Sequence, residues 1–365
     1  MLHFQSLGDI ARQNEECIMK RIAAAVLPLL VLVAGCSDVR CAEEPKETIY
    51  YSYFDTVSYI YSYAGDSEAA FAENAAIASG VLEEYHRLLD IYHEYAGMNN
   101  LCTVNRLAGG EPVTVDRKLI DFLCYAVELY EITDGEMNVM MGAVLRPWHD
   151  CYTQAVENPS AAAIPEMQTL ENAARYTDIA LLEIDIENCT VRIASPFASI
   201  DVGALGKGYA TEKAAQALIS AEAEGYVLNI GGNIRIIGNK RDGSEWLTGV
   251  RDPADPDGAY ARYLRLSDIS CVTSGNYERF FTADGVRYHH IIDRDTKMPA
   301  SYFASVTVLT ADSGLADALS TALFCMSYED GLALLKQFGD VEVLWIRQDG
   351  QQLCTDGVKA LTEEQ

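Results

Sequence analysis

"DVGALGKGYATEKAAQALISAEAEGYVLNIGGNIRIIGN", from Asp201 to Asn239, changes character twice. It opens as a glycine-rich loop and passes into helix-forming sequence rich in Ala, Lys and Glu. It ends in two β-branched runs on either side of Gly231–Gly232. A helix followed at once by strand, turn and strand puts helices and antiparallel strands in one unit. The same texture extends in both directions. Upstream, "TIYYSYFDTVSYIYSYA" reads as one or two strands, being dense in Tyr and β-branched residues. Residues 67–92 have helical spacing, with Ser67 as a cap and Glu in the first turn. Residues 99–116 read as a loop, 117–135 as a second amphipathic helix ending near Gly135, and 150–172 as a polar, Ala-rich loop. "IALLEIDIENCTVRIA" reads as a strand pair turning at Glu187–Asn188. Downstream, "WLTGVRDP", "ARYLRLSDISCVTSG" and "YHHIIDRDTKMPA" add strands. "SVTVLTADSGLADALSTALFCM" reads as strand, loop and helix, and "VEVLWIRQDGQQLCTD" as a closing hairpin. The sum is an α+β chain with helices early and between sheet segments. No linker divides it, and no internal repeat is evident.

Composition narrows the partners. The chain has 365 residues, 49% hydrophobic and 22% charged, enough for a sizeable core. Its formal charge of −27 argues against nucleic acid, since no basic patch offsets phosphate repulsion. Near the start, "MKRIAAAVLPLLVLVAGC" places Lys20 and Arg21 before an apolar run, Ile22–Ala34, too short to span a bilayer comfortably. It reads as an export signal, and "VAGC" makes Cys36 the expected lipidated residue. The expected organisation is an upstream extension and signal over residues 1–35, a tether over 36–48 and one domain over 49–365. The ten cysteines contain no CxxC pair, so few or no disulfides are expected. Cys124 and Cys325 lie in apolar runs and read as small hydrophobes.

Four polar constellations carry the chemistry. Gly203, Gly206 and Gly208 let backbone turn tightly or approach a ligand, and Lys207 stands at the start of a helix, where N–H groups can hold phosphate oxygens. The spacing matches neither the Walker nor the dinucleotide fingerprint, and a purely structural turn is the other reading. Gly231 and Gly232 read as a tight turn or as a bare backbone wall for a flat ring. Asp317 and Thr321, four apart, share a helix face and form an oxygen pair suited to Mg²⁺. Capping by Asp312 and a back-bond from Thr321 is the plainer alternative. His289 and His290 are neighbours on a strand, so they face opposite ways. One of them, near Asp293, is a candidate general base, with a purely structural histidine as the alternative.

Taken in order, these blocks resemble the ApbE family of FAD:protein FMN transferases. The resemblance runs through "FDTVSYI" (54–60), Asn105 in "CTVNRL", "TDGEMNVMMGAVLRPW" (133–148), "IDVGALGKGYA" (200–210), "LNIGGNIRIIG" (228–238) and "VRDP" (250–253). It continues through "TSGNYERFF" (273–281), "YHHIIDRDT" (288–296) and "SVTVLTADSGLADALSTALF" (305–324). It implies a single T-fold-like α+β domain of mixed or antiparallel sheets with packed helices. It also implies an activity: Mg²⁺-dependent cleavage of the FAD pyrophosphate, with FMN moved to a threonine of a target protein and AMP released. The implied targets carry a motif near Ser-Gly-Ala-Thr, as in subunits of sodium-pumping NADH:quinone oxidoreductase or the Rnf complex. By the same resemblance Asp317, Thr321 and the Gly206 carbonyl hold the metal, and His290 is the base with Asp293 as its rival. Asn105, Gly203, Lys207, Gly231, Gly232, Ser274, Gly275, Tyr277 and His290 line the cofactor cleft, although Lys207 reads equally as an ion-pair partner. The implied location is the outer face of the bacterial membrane, through lipid on Cys36. Two departures stand out. The family's "IIDPxTG" is here "IIDRDTK", and Met137–Asn138 stand where Phe-Asp is usual. Net hydrolysis of FAD to FMN and AMP, and noncatalytic flavin binding by a lipoprotein, are the alternative functions.

Overall fold

The computed structural model describes residues 45–258 and 260–363. The leader and Cys36 lie outside the described residues. An eight-stranded sheet organises the chain, in the order β1 (Lys46–Tyr53), β2 (Thr56–Ser62), β6 (Tyr226–Ile230), β7 (Asn233–Ile237), β10 (Ser270–Gly275), β13 (Ser305–Thr310), β14 (Glu342–Ile346), β15 (Gln352–Cys354). Every neighbouring pair is antiparallel. Strand β1 begins at Lys46, within the last residues of the expected tether.

Helices cover one face. Helix α1 (Glu68–Leu89) starts where Ser67 Oγ accepts from the Ala70 N–H at 3.2 Å. Its Phe71, Ala75, Ala78, Leu82 and Tyr85 recur every three or four residues and are buried. They pack with α3 (Arg117–Ile132), α6 (Gly206–Ser220) and the Tyr226, Leu228 and Ile230 face of β6. Helices α7 (Ser313–Phe324) and α8 (Tyr328–Leu335) join Val306, Val308, Val343 and Trp345 in a second cluster. The alternate residues Val227, Leu309, Leu344 and Ile346 face the other way. There they meet the ribbon of β8 (Trp246–Arg251) and β9 (Tyr260–Leu266), together with Val358 of α9 (Asp356–Leu361).

Two expectations need correction. Residues 99–116 are not all loop: they hold α2 (Leu101–Arg106), capped by Asn100, and β3 (Val113–Thr114). Strand β3 pairs with β5 (Thr190–Ile193), which pairs with β4 (Leu182–Asp185). Nor is 150–172 a loop, for α4 (Gly142–Glu157) and α5 (Met167–Ala173) occupy most of it. Pro147 inside α4 removes one ladder bond, which argues against a helix locally. Tertiary packing overrides it. Val144 and Trp148 are buried against a ribbon of β11 (Phe280–Ala283) and β12 (Val286–His289), where the Trp148 ring lies 6.4 Å from Phe281 and 6.0 Å from Tyr288. Helices α8 and α9 are short and add to what the sequence pattern shows. Among the described residues Cys102, Cys124, Cys151, Cys189, Cys271, Cys325 and Cys354 are unpaired, with Cys271 and Cys325 buried and Cys124 only partly so.

Candidate active site

The helix after the glycine loop begins at Gly206, one residue before Lys207. Asp201 Oδ1 accepts from Gly203 N–H at 2.9 Å and shapes the turn. Asn105 holds the same segment from the far side. Its amide donates to Ile200 O at 2.9 Å and accepts from Ile200 N–H at 2.7 Å. Both ends of Asn105 are therefore occupied by backbone, which makes it a clamp on the loop.

The first turn of α6 meets α7 at close range. Gly208 N–H donates to Asp317 Oδ2 at 2.8 Å, and Lys207 Nζ lies 3.9 Å from the same oxygen. Among the described residues Asp317 Oδ1 makes no hydrogen bond. One turn along α7, Thr321 Oγ1 lies 3.3 Å from Ser274 Oγ, which also meets Ser320 Oγ at 2.8 Å. No group of three or more His, Cys, Asp or Glu side chains among the described residues forms a metal cluster. The set here is instead one buried carboxylate with a spare oxygen, one hydroxyl and the adjacent backbone. These are hard oxygen donors, few enough to leave room for water and phosphate, and that fits Mg²⁺ better than a fully protein-made cage.

The two histidines separate as strand alternation requires. His289 is buried, with Nε2 2.9 Å from Ala300 O and its ring edge-on to Phe324. His290 follows the end of β12 and is exposed. Its Nδ1 lies 3.2 Å from Arg279 O. The surrounding protein, then the Arg279 charge, pushes the imidazole below its ordinary range, which favours the neutral ring at physiological pH.

Arg279 links His290 to the β1–β2 hairpin turn. Its Nη2 lies 3.5 Å from Asp55 O, in the β1–β2 turn, where Phe54 and Asp55 have φ of 53° and 51°. Consecutive non-glycine residues in that region carry strain, which often gathers at functional sites. Gly231 and Gly232 form the β6–β7 turn with φ of 57° and 94°. A Cβ on Gly231 would lie 2.4 Å from Thr56 Oγ1, so this glycine lets the two turns touch. Gly275 presses on the Tyr277 ring in the same way, and Tyr277 is buried, which raises its phenol pKa.

Asp293 serves its own loop. Its Oδ1 accepts from the N–H groups of Asp295 (2.9 Å) and Thr296 (2.7 Å) and from Thr296 Oγ1 (2.9 Å). That geometry commits Oδ1 to anchoring the loop. The altered residues brace this loop. Lys297, at φ 62°, offers its carbonyl to Trp148 Nε1 at 3.0 Å. Arg294 Nε lies 3.2 Å from Glu136 Oε1, and its Nη1 reaches Asp134 O. Burial pushes the Glu136 carboxyl up to about 7, with Arg294 pulling the other way.

The unfolded chain releases this proton near 4.5, whereas the folded chain holds it until about 7. Stability from this group is therefore full below 4.5 and is lost progressively as pH rises toward and through 7. Glu136→Gln should abolish that fall in urea unfolding measured across the interval. A slope as steep as in the parent chain would refute the assignment.

Several residues of the cleft were missed in the sequence. The sequence marks Asp201 only by an Asx-turn signal, an Asp two residues before a turning Gly. Tyr92 Oη lies 3.3 Å from His149 Nδ1, which lies 3.9 Å from Asp201 Oδ2. No local pattern joins those three, nor reveals Arg279.

Comparison with known proteins bears on this geometry. The model of the ApbE family matches residues 54–345. A FAD:protein FMN transferase of Treponema pallidum is 34% identical over 302 residues, covering 78% of this chain and 82% of its own length. One from Klebsiella pneumoniae is 28% identical over 280 residues, covering 76% and 84%. Among solved structures, the ApbE protein of Thermotoga maritima superposes with a TM-score of 0.77 at 28% identity, covering 88% of this chain and all (100%) of its own. The flavin transferase ApbE of Vibrio cholerae gives 0.71 at 26%, covering 87% and 100%.

Proposed function

The chain belongs to the ApbE family, and from that membership we propose that it transfers the FMN part of FAD to a threonine hydroxyl of a partner flavoprotein, with Mg²⁺ and release of AMP. The observation that carries this reading is the junction of the first turn of α6 with Asp317. It brings a buried carboxylate with one oxygen uncommitted next to Lys207, a pairing suited to a cation and the phosphates it would bridge. Asp317, Thr321 and the Gly206 carbonyl would hold Mg²⁺, which supplies charge neutralisation at the pyrophosphate. The side chains do the rest. Lys207 faces the phosphates, and Asn105 and Asp201 keep the glycine loop in shape. The Gly231–Gly232 turn, Ser274–Gly275 and Tyr277 form walls of the cleft.

In the transfer step the threonine Oγ forms a bond to the FMN phosphorus. The bond from that phosphorus to the bridging oxygen breaks, and its electron pair leaves with AMP. The threonine proton goes to His290, whose neutral ring can accept it. An anionic pyrophosphate nearby raises the basicity of that imidazole. Asp293 holds the following loop. Cys36 would carry the lipid that keeps the domain at the outer membrane face. No helix among the described residues is long and apolar enough to cross a membrane. The partner is an exported domain with a Ser-Gly-Ala-Thr-like acceptor, of the kind found in Rnf or sodium-pumping quinone oxidoreductase subunits.

The deciding experiment is mass spectrometry of an acceptor domain incubated with this chain, FAD and Mg²⁺, each left out in turn. A mass gain of one FMN phosphoryl unit, requiring all components, supports transfer. FMN and AMP without a modified acceptor would favour hydrolysis, and intact bound FAD would favour a noncatalytic binder. In the same assay His290→Ala should lower transfer on the order of 10²-fold while FAD still binds. The acid limb of kcat/KM that belongs to His290 should lie below the ordinary imidazole range, because its pKa is depressed. A limb at the usual histidine value, unchanged in His290→Ala, would assign the proton to another group.

A further inference from the structure

Helices α6 and α7 touch through two hydrogen bonds one turn apart. Gly208 N–H donates to Asp317 Oδ2 at 2.8 Å, and Ser313 N–H donates to Glu212 Oε2 at 3.0 Å. Glu212 lies four residues after Gly208, and Ser313 four before Asp317. The two bonds therefore pair successive turns of antiparallel helices and fix their register. Gly208 makes the approach possible, since a Cβ there would stand 2.4 Å from both Asp317 Cβ and Ser313 O. Register by backbone contact alone is still a sliding fit. The second bond stops the slide.

The Glu212 carboxylate is itself held. It is 7% exposed, and a buried carboxylate requires a partner. Arg235 of β7, 4% exposed, places Nε 3.3 Å from Glu212 Oε2. Arg235 is anchored in turn by Asp268 at 3.2 Å and by the Ile236 carbonyl. The other Glu212 oxygen accepts from Gln216 Nε2 at 2.6 Å. The negative charge also sits at the N-terminus of α7, where the helix dipole favours it. A chain of fixed groups thus runs from the central sheet, through Arg235 and Glu212, to the start of the helix that carries Asp317 and Thr321.

We infer that Arg235 and Glu212 form a positioning pair for the divalent-cation site. The inference rests on the proposal that Asp317 and Thr321 hold that cation. The pair acts through the helix register and touches no reacting atom. Mg²⁺ tolerates little error, because it demands near-octahedral oxygen geometry at short distance. A slide of one residue moves a helix by about 1.5 Å, far more than such a site absorbs.

The test uses the full chain with FAD and Mn²⁺, which accepts the same hard oxygen donors and is counted directly by the EPR signal of the free ion. Thermal midpoints are recorded in parallel. Arg235→Met should weaken Mn²⁺ half-saturation on the order of tenfold, as loss of an outer partner does at other metal sites. That variant leaves a buried carboxylate unpaired, so it loses stability as well. The double variant Glu212→Met/Arg235→Met removes the unpaired charge together with the acceptor for Ser313 N–H, and recovers the thermal midpoint by apolar packing. In it Mn²⁺ binding should remain weakened several-fold. A double variant with the parent's midpoint and the parent's Mn²⁺ affinity would overturn the inference, and would show the pair to be structural only. Asp317→Asn distinguishes the underlying proposal. If the parent chain takes up no Mn²⁺, or Asp317→Asn takes it up equally well, the cation site and the positioning role both fall.

Discussion

Asp317→Asn is expected to lower FMN transfer on the order of 10³-fold while the chain keeps its fold within about 1 kcal/mol of the parent. The asymmetry follows from what the carboxylate does on each side. Toward α6 it accepts a hydrogen bond from Gly208 N–H at 2.8 Å, and an amide oxygen of the same shape can accept it too. Toward the cleft it offers the one carboxylate of the proposed donor set, the other members being a hydroxyl and a backbone carbonyl. Removing its charge leaves neutral donors, which hold a divalent cation weakly. It also leaves Lys207 Nζ, 3.9 Å away, without that counter-charge. The measurement is the initial rate of acceptor modification across a Mg²⁺ series, with urea unfolding of the same preparation. If Asp317 were only the register acceptor and the partner of Lys207, the variant would keep its rate and its Mg²⁺ dependence. Thr321→Ala should show a smaller effect in the same direction, since a neutral hydroxyl contributes less and Ser274 keeps its bond to Ser320.

What the sequence shows of this site divides along the range of the interactions. The Asp317–Thr321 pair is legible because four residues is a local spacing on a helix. So is the division between His289 and His290, because strand alternation is local. Which of the two faces the cleft is decided by contacts with Arg279, Ala300 and Phe324, and strand periodicity cannot order those. Asn105 and Asp293 are conspicuous as polar residues, yet their hydrogen bonds go to backbone. Their roles as clamps became clear only from Ile200, Asp295 and Thr296. The fold divides likewise. Helices α1 and α7 announce themselves by capping side chains, α3 by its amphipathic period, and β6–β7 by Gly-Gly between β-branched runs. Helix α2 has six residues, too few to display a period. Helix α4 is buried against a ribbon that begins more than a hundred residues later, so its apolar face has no local explanation.

Gly208→Ala carries the largest expected cost to folding, about 3 kcal/mol, and it separates packing from charge at the same junction. Gly208 has no need of a left-handed backbone, since it lies within α6, where alanine is intrinsically the better helix former by about 1 kcal/mol. The penalty comes from space alone. The added methyl would lie 2.4 Å from Asp317 Cβ and 2.4 Å from the Ser313 carbonyl oxygen. One of those is backbone at the start of a helix and the other the root of a buried side chain, so neither can rotate aside. Relief requires α7 to move away from α6, which stretches the Gly208–Asp317 and Glu212–Ser313 bonds together. The thermal midpoint should fall, and the half-saturating Mg²⁺ concentration should rise in step, because the same displacement moves Asp317. Gly203→Ala is the control. There the nearest atom to an added methyl is Asp201 Oδ1 at 3.2 Å, the end of a side chain that can yield, and a stability loss of under about 1 kcal/mol is expected. Equal losses for the two variants would mean that the close approach of α6 and α7 is not what holds this junction.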